Sequence, residues 1–252
     1  MVTKALMKHH SLDKLRKFAF KIGLWKPGVR FSRYCEKYLF KNIDLNGKSL
    51  LDVGCGSGDC MIWAALKGAN PVIGLEPFAD GSGATRKNRE LFHARLERWN
   101  LKNVERLPYR LQDFDYAPAT FDVVLMTAAI NHLDEQMCVA LPQNPRAKQL
   151  YSTTFQKLRL MMKSGGKLIV TDCSGRNLFG DLGLKNTLAR KIDWRKHHSP
   201  KFWARLLKEA GFTNSQISWE VNYLSNYLGI YRVPWLISYL TTSRFRLEMT
   251  AS

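Results

Sequence analysis

Acidic residues are scarce in this chain of 252 residues. Asp and Glu number 21 against 39 Lys and Arg, a formal net charge of +18. A field of that sign attracts polyanions, anionic membrane surfaces or acidic small substrates, without choosing among them. Cysteine is also sparse: Cys35, Cys55, Cys60, Cys138 and Cys173 make an odd number, and no C-x-x-C pair occurs. Neither a disulfide framework nor a zinc site follows from that pattern, and a reducing compartment fits it best. Apolar runs stay shorter than the roughly 20 residues a transmembrane helix needs. The N-terminus lacks the apolar core of a signal peptide, though its basic, acid-poor character also fits a transit peptide. A cytoplasmic location, or a peripheral one on a membrane, is expected. Internal repeats and low-complexity tracts are absent. With 45% hydrophobic and 24% charged residues, the composition is that of a globular protein able to fold without staples.

Two regions stand apart. Residues 1–45 hold eleven Lys and Arg against three acids. Leu12, Leu15, Phe18, Ala19 and Ile22 fall at helical spacing there, and a second helix is expected through Phe31–Phe40. This stretch reads as a basic helical cap on a domain spanning 46–252. From Lys48 onward strands and helices alternate. Strands are expected at 49–53, 71–76, 104–110, 121–127 and 167–172, with two more near 216–223 and 245–250. Helices are expected at 59–67, 85–100 and 147–162, the last closed by Gly165-Gly166. Ser199-Pro200 opens another helix and Gly211 ends it: an N-cap hydroxyl, a proline at the first position, a glycine past the end. Alternation of this kind predicts a parallel, doubly wound sheet with right-handed crossovers. Ligands of such sheets bind at the carboxyl ends of the strands.

The first strand runs into Asp52-Val53-Gly54-Cys55-Gly56-Ser57-Gly58. Glycine at a strand-to-helix turn lets backbone approach a ligand closely. Here the glycines alternate, whereas a nicotinamide fingerprint places its third glycine one residue later. Position 59 is Asp, which would repel a pyrophosphate at the helix start. The loop therefore suits a cofactor without phosphates. Glu76 ends the second strand, where a carboxylate can accept hydrogen bonds from both ribose hydroxyls.

These segments, with Gln112-Asp113-Phe114, Phe121-Asp122-Val123-Val124-Leu125 and Leu160–Gly166, resemble the class I S-adenosylmethionine-dependent methyltransferases, most closely their broad small-molecule group. The resemblance covers roughly Leu45 to Phe212. It implies a Rossmann-like seven-stranded α/β fold. It also implies that Gly54, Gly56 and Gly58, with Cys55 between them, line the methionine part of S-adenosylmethionine, and that Asp52 holds it through its amine or through water. Glu76 would bind the ribose, and Pro77 and Phe78 would lie against the adenine. Asp113 would accept from the adenine amino group with Phe114 beside the ring, and Thr127 and Ala128 would face the methionine tail. The family usually starts a helix soon after Glu76; here a longer, glycine-containing turn follows.

Methyl transfer from a sulfonium is an in-line displacement that depends on positioning, and a hydroxyl acceptor also needs a base. His132, just past the fourth strand, is one candidate, although a structural role at the cofactor wall is open. His197 and His198 follow the fifth strand, and one of them could reach the acceptor; of the two, His198 is taken as the candidate. Asp172, ending that strand, could act as base or orient a histidine. His93 reads as a surface residue. The Asn/Asp-Pro-Pro-aromatic motif of enzymes that methylate base amines is missing, as is the paired-glutamate loop of protein-arginine methyltransferases. No acidic set for a catalytic metal is evident, so no metal is expected. Asp134-Glu135 reads as a helix cap. The expected activity is methylation of an oxygen or nitrogen of a small molecule or glycan intermediate, suited by charge to an anionic one. RNA, a lipid at a membrane surface, or cofactor binding without turnover are the alternatives. Trp194 and Trp235 among basic residues would serve RNA stacking, sugar stacking or a membrane interface. Trp203 reads as core.

Overall fold

The computed structural model describes residues 31–77, 86–190, 192–221, 224 and 228–252. The expected helix around Leu12–Ile22, Phe78 and the turn after it, and Lys191 lie outside the described residues. Seven strands form one sheet in the order β3-β2-β1-β4-β5-β7-β6. They are β1 (Leu50–Val53), β2 (Val72–Leu75), β3 (Val104–Leu107), β4 (Phe121–Thr127), β5 (Met162–Cys173), β6 (Phe212–Glu220) and β7 (Arg244–Ala251). β1 to β5 pair in parallel, and β7 is antiparallel to both of its neighbours. The sheet is thus mixed rather than purely parallel. The crossovers between the first five strands keep them parallel, whereas β7 returns in the opposite sense beside β5 and β6.

The helices are α1 (Phe31–Tyr34), α2 (Asp59–Leu66), α3 (Arg86–Trp99), α4 (Glu135–Ala140), α5 (Pro145–Met161), α6 (Leu178–Asp181), α7 (Pro200–Glu209) and α8 (Trp235–Tyr239). α1 continues as a wider π-helical turn over Cys35–Leu39. β1 and β2 are buried along their whole length, as expected of strands covered on both faces. One apolar layer gathers α5 and α7 over Leu168 and Val170, with Tyr151, Phe155 and the fully buried Trp203 at its centre. The other packs α2, Phe92 and the segment from Cys35 to Phe40 over Leu125 and Ile169. The Phe40 ring stacks on Trp63 at 5.3 Å, and Arg246 Nε donates to the Leu39 carbonyl at 2.9 Å. That part of the basic N-terminal region is therefore fixed to the main domain.

The caps follow their chemistry. Ser199 Oγ accepts from Phe202 N at 3.2 Å, Pro200 opens α7, and Gly211 follows its end at φ 97°. Asp134 accepts from Met137 N at 2.9 Å and caps α4. Gly165 and Gly166 do not close α5. They belong to β5, which begins five residues before the expected Lys167 because its first residues pair with Phe121.

Candidate active site

The β1–α2 turn is built from positive-φ glycines: Gly54 at 71°, Gly56 at 53° and Gly58 at 76°. Gly54 N and Cys55 N both donate to the Leu75 carbonyl, at 2.8 and 3.0 Å, which ties the turn to β2. A Cβ on Gly54 would stand 2.6 Å from Ala129 Cβ, and one on Gly58 would stand 2.4 Å from the Phe92 ring. At Gly56 nothing lies within 4 Å of that point. Two glycines are thus required by packing, while the middle one borders open space. Glu76, buried, accepts from Gly56 N through Oε2 at 2.7 Å.

Below the turn, the Asp52 carboxyl is buried and has no hydrogen-bond partner among the described residues. Burial, then the nearby charges of Glu76 and Asp59, push it up to about 8. Asp59 is not the bare charge that its place at a helix start suggests. Arg95, almost wholly buried, pairs with Asp59 Oδ1 and donates to the Ser57 carbonyl, so α3 straps the turn from outside. Among five basic residues on a helix, the sequence offers no sign that this one points inward.

The far side of the pocket comes from the ends of β4 and β5. Ala128 has a positive φ of 50°, is exposed, and donates from its backbone N to the Thr171 carbonyl at 2.7 Å. Thr127 Oγ1, Asn131 Oδ1, Thr171 Oγ1 and Asp172 Oδ2 are buried with no hydrogen-bond partner among the described residues. An unpaired buried polar atom costs roughly 1–3 kcal/mol, so four at one edge mark where a ligand or ordered water completes the bonding. Asn131 carried no role in the sequence analysis; its place one residue before His132 was the only signal.

The histidines separate. His197 Nδ1 lies 3.1 Å from Asp172 Oδ1, with both side chains largely buried. Cys173 N donates to the same Asp172 oxygen at 2.7 Å. His198 instead turns its Nε2 to the Cys138 carbonyl at 2.7 Å and stacks on Phe202, and burial lowers its pKa. His132 is exposed, 2.6 Å from Glu135, whose other oxygen pairs with Lys196. His93 is exposed on α3. Asp113 is exposed at the end of a single 3-10 turn, Leu111–Asp113; Phe114 is buried beside Tyr109 and Tyr116; Pro77 is half-buried. β1 and β5 are separated by β4 alone, so their ends lie about 10 Å apart. One edge thus brings together a glycine turn with two buried acids and a histidine–aspartate pair.

These residues fit S-adenosylmethionine. The loop opens at Gly56, and Asp52 and Glu76 are buried carboxyls beside it. The family profile described as "Methyltransferase domain" matches residues 29–217. The chain is 29% identical over 175 residues to the ubiquinone biosynthesis O-methyltransferase of Neisseria meningitidis serogroup C, covering 69% of this chain and 67% of that one. A ribosomal protein L11 methyltransferase of Burkholderia ambifaria is 36% identical over 77 residues, and the match spans only 25% of that protein. In three dimensions, the geranyl diphosphate C-methyltransferase of Streptomyces coelicolor A3(2) superposes with a TM-score of 0.60 at 14% identity, over 86% of this chain and 78% of that one. A SAM-dependent methyltransferase of Aquifex aeolicus gives 0.56 at 15%, over 91% and 96%. Fold and site define a Rossmann-like transferase. The chain belongs to the methyltransferase domain family and is an S-adenosylmethionine-dependent methyltransferase.

Proposed function

We propose that this enzyme methylates a hydroxyl oxygen of a small organic acceptor, with His197 as general base and Asp172 as its orienting partner. The observation that carries the reading is the 3.1 Å contact between His197 Nδ1 and Asp172 Oδ1 at the carboxyl edge of β5. The Neisseria relative, by its name an O-methyltransferase, favours oxygen over nitrogen.

When bound, S-adenosylmethionine supplies an electrophilic methyl group on a sulfonium. Gly56 and its neighbours would give the methionine part room, Asp52 would take its ammonium, and Glu76 would take the ribose hydroxyls. Thr127 and Ala128 would face the methionine tail. Asp113, Phe114 and Pro77 would hold the adenine. Asp172 accepts from His197 Nδ1–H and fixes the tautomer. His197 Nε2 would then be the nitrogen that accepts the acceptor's hydroxyl proton, while the methyl carbon's bond to sulfur breaks as its bond to oxygen forms and S-adenosylhomocysteine leaves. The base is therefore assigned to His197 rather than to His198, whose Nε2 is spent on the Cys138 carbonyl and whose ring is stacked. His132 is likewise set aside, because it stands exposed in an ion-pair chain with Glu135 and Lys196. Lys185 and Arg190, exposed on the segment that follows β5, favour an acceptor carrying negative charge.

The test is transfer of label from radiolabelled S-adenosylmethionine into a host-cell extract, with and without nuclease, with Gly56→Arg as the control for the cofactor loop. Label should survive nuclease. In His197→Gln and Asp172→Asn the rate should fall about 10²- to 10⁴-fold, the usual worth of a general base. Cofactor affinity should stay within about twofold. His132→Gln should lose less than about tenfold. Nuclease-sensitive label would replace the small acceptor with RNA. Near-normal rates in His197→Gln would remove the base assignment.

A further inference from the structure

The polar and apolar groups beyond β5 are arranged inside out. Asn177 and Asn186 are buried, and they hold the segment that includes α6 from within. Asn177 Oδ1 accepts from Gly180 N at 3.1 Å. Asn186 Nδ2 donates to the Thr241 carbonyl at 2.9 Å, and Asn186 Oδ1 accepts from Leu188 N at 3.0 Å. With its backbone fixed in this way, the segment turns Leu182, Leu184 and Leu188 into water. Across those bonds, α8 does the same. Its one buried residue is Ser238, whose hydroxyl donates to the Glu220 carbonyl at 2.8 Å, and the helix presents Trp235, Leu236 and Ile237 outward. Tyr239 Oη donates to Asp181 Oδ2 at 3.0 Å and joins the two elements into one surface. Those six apolar side chains keep between 43% and 62% of their area exposed.

We propose that this surface docks the enzyme on an anionic phospholipid bilayer. Scattered exposed leucines need no explanation, but six on two elements pinned together by buried polar groups form a patch of the kind that marks an interaction face. Its charge selects the occupant. Lys185, Arg190 and Arg232 are exposed on the same two segments. The acid there, Asp181, is already paired with Arg176 at 3.0 Å. Apolar side chains that enter the acyl boundary, ringed by cations that meet headgroup phosphates, are the pattern of interfacial binding. Among the described residues no helix is long and apolar enough to cross a membrane, so the contact is peripheral. The segment that carries Leu182, Leu184 and Leu188 follows β5, near whose end Asp172 lies. The proposal is independent of which atom is methylated.

The test is flotation of the nuclease-treated full chain with vesicles of phosphatidylcholine alone and of phosphatidylcholine with a quarter phosphatidylglycerol. Binding should need the anionic lipid and should weaken as salt rises. Leu236→Gln/Ile237→Gln should lower partitioning at least about tenfold. Lys185→Glu and Arg232→Glu should each lower it about fivefold or more. All should keep the wild-type far-ultraviolet circular dichroism, since these residues are exposed. Equal flotation with both lipids, or binding unchanged in the leucine–isoleucine variant, would overturn the proposal. So would a wild type that is dimeric in sedimentation and does not float, with a monomeric variant, because a second copy would then cover the face.

Discussion

Asp52 illustrates how one side chain links burial, pH and ligand. Its carboxyl is enclosed near Glu76 and Asp59 and titrates near 8 rather than in the ordinary carboxylate range. Between about pH 4 and pH 8 the folded chain therefore holds a proton that the unfolded chain has lost. The stabilisation from that proton is complete below the unfolded value and is lost as pH rises through 8. Asn cannot ionise and so lacks this slope. We predict that Asp52→Asn gains thermal stability relative to the parent as pH goes from 5 to 9. It should also weaken S-adenosylmethionine at least about tenfold above pH 8, where the parent presents a carboxylate to the ammonium. Differential scanning fluorimetry at pH 5, 7 and 9, with and without cofactor, reads both effects. A pH-independent difference in melting temperature would mean that Asp52 titrates normally. The sequence marks Asp52 by its place before the glycines, but its perturbed proton depends on burial and then on Glu76, which only the folded sheet with β1 paired to β2 supplies.

At the level of the element, the β1–α2 turn shows that identical residues serve different ends. Gly58 has both a left-handed backbone and a neighbour: a Cβ would enter the Phe92 ring. Gly56 has the backbone but no neighbour. Ala at a left-handed position costs about 1–2 kcal/mol, and overpacking adds about 1–3 kcal/mol. Gly58→Ala should therefore lose about 2–5 kcal/mol in urea unfolding. Gly56→Ala should lose only about 1–2 kcal/mol, while its methyl group enters the space assigned to the cofactor and weakens binding more than tenfold by calorimetry. Equal stability losses with unchanged affinity would contradict this division of labour. The alternation of glycines was legible because it is local, as were the Ser199 and Asp134 caps. The Arg95 strap was not, since a basic helix residue turns inward only when an opposing element supplies Asp59 and the Ser57 carbonyl. The choice between His197 and His198 was hidden for the same reason. Adjacent residues point apart, and which one meets Asp172 depends on how the loop before α7 lies against β5 and α4.

The whole molecule is governed by its +18 charge. Strand and helix alternation gave the doubly wound architecture from local patterns alone. The reversal of β7 did not show, because period-two sequence carries no information on strand direction. Charge, by contrast, is fully visible in the sequence, but its distribution is a property of the fold. Asp122 already answers Lys48 and Lys163, at 3.5 and 2.8 Å, and Glu220 answers Arg244 at 2.8 Å, so several of the few acids are already committed to pairs. The remaining cations repel one another across the surface, which disfavours the compact state. Exposed ion pairs are worth only about 0–1 kcal/mol each, and salt weakens them slightly. Screening the surplus positive charge should outweigh that loss, because the Debye length shrinks from about 30 Å at 0.01 M salt to about 8 Å at 0.15 M. Melting temperature should accordingly rise by several degrees between those salt concentrations at pH 7. The rise should be larger still with sulfate at equal ionic strength if cations converge on an anion site. A melting temperature that falls with salt would show that local pairs dominate the balance and that the excess charge is spread too thinly to strain the fold.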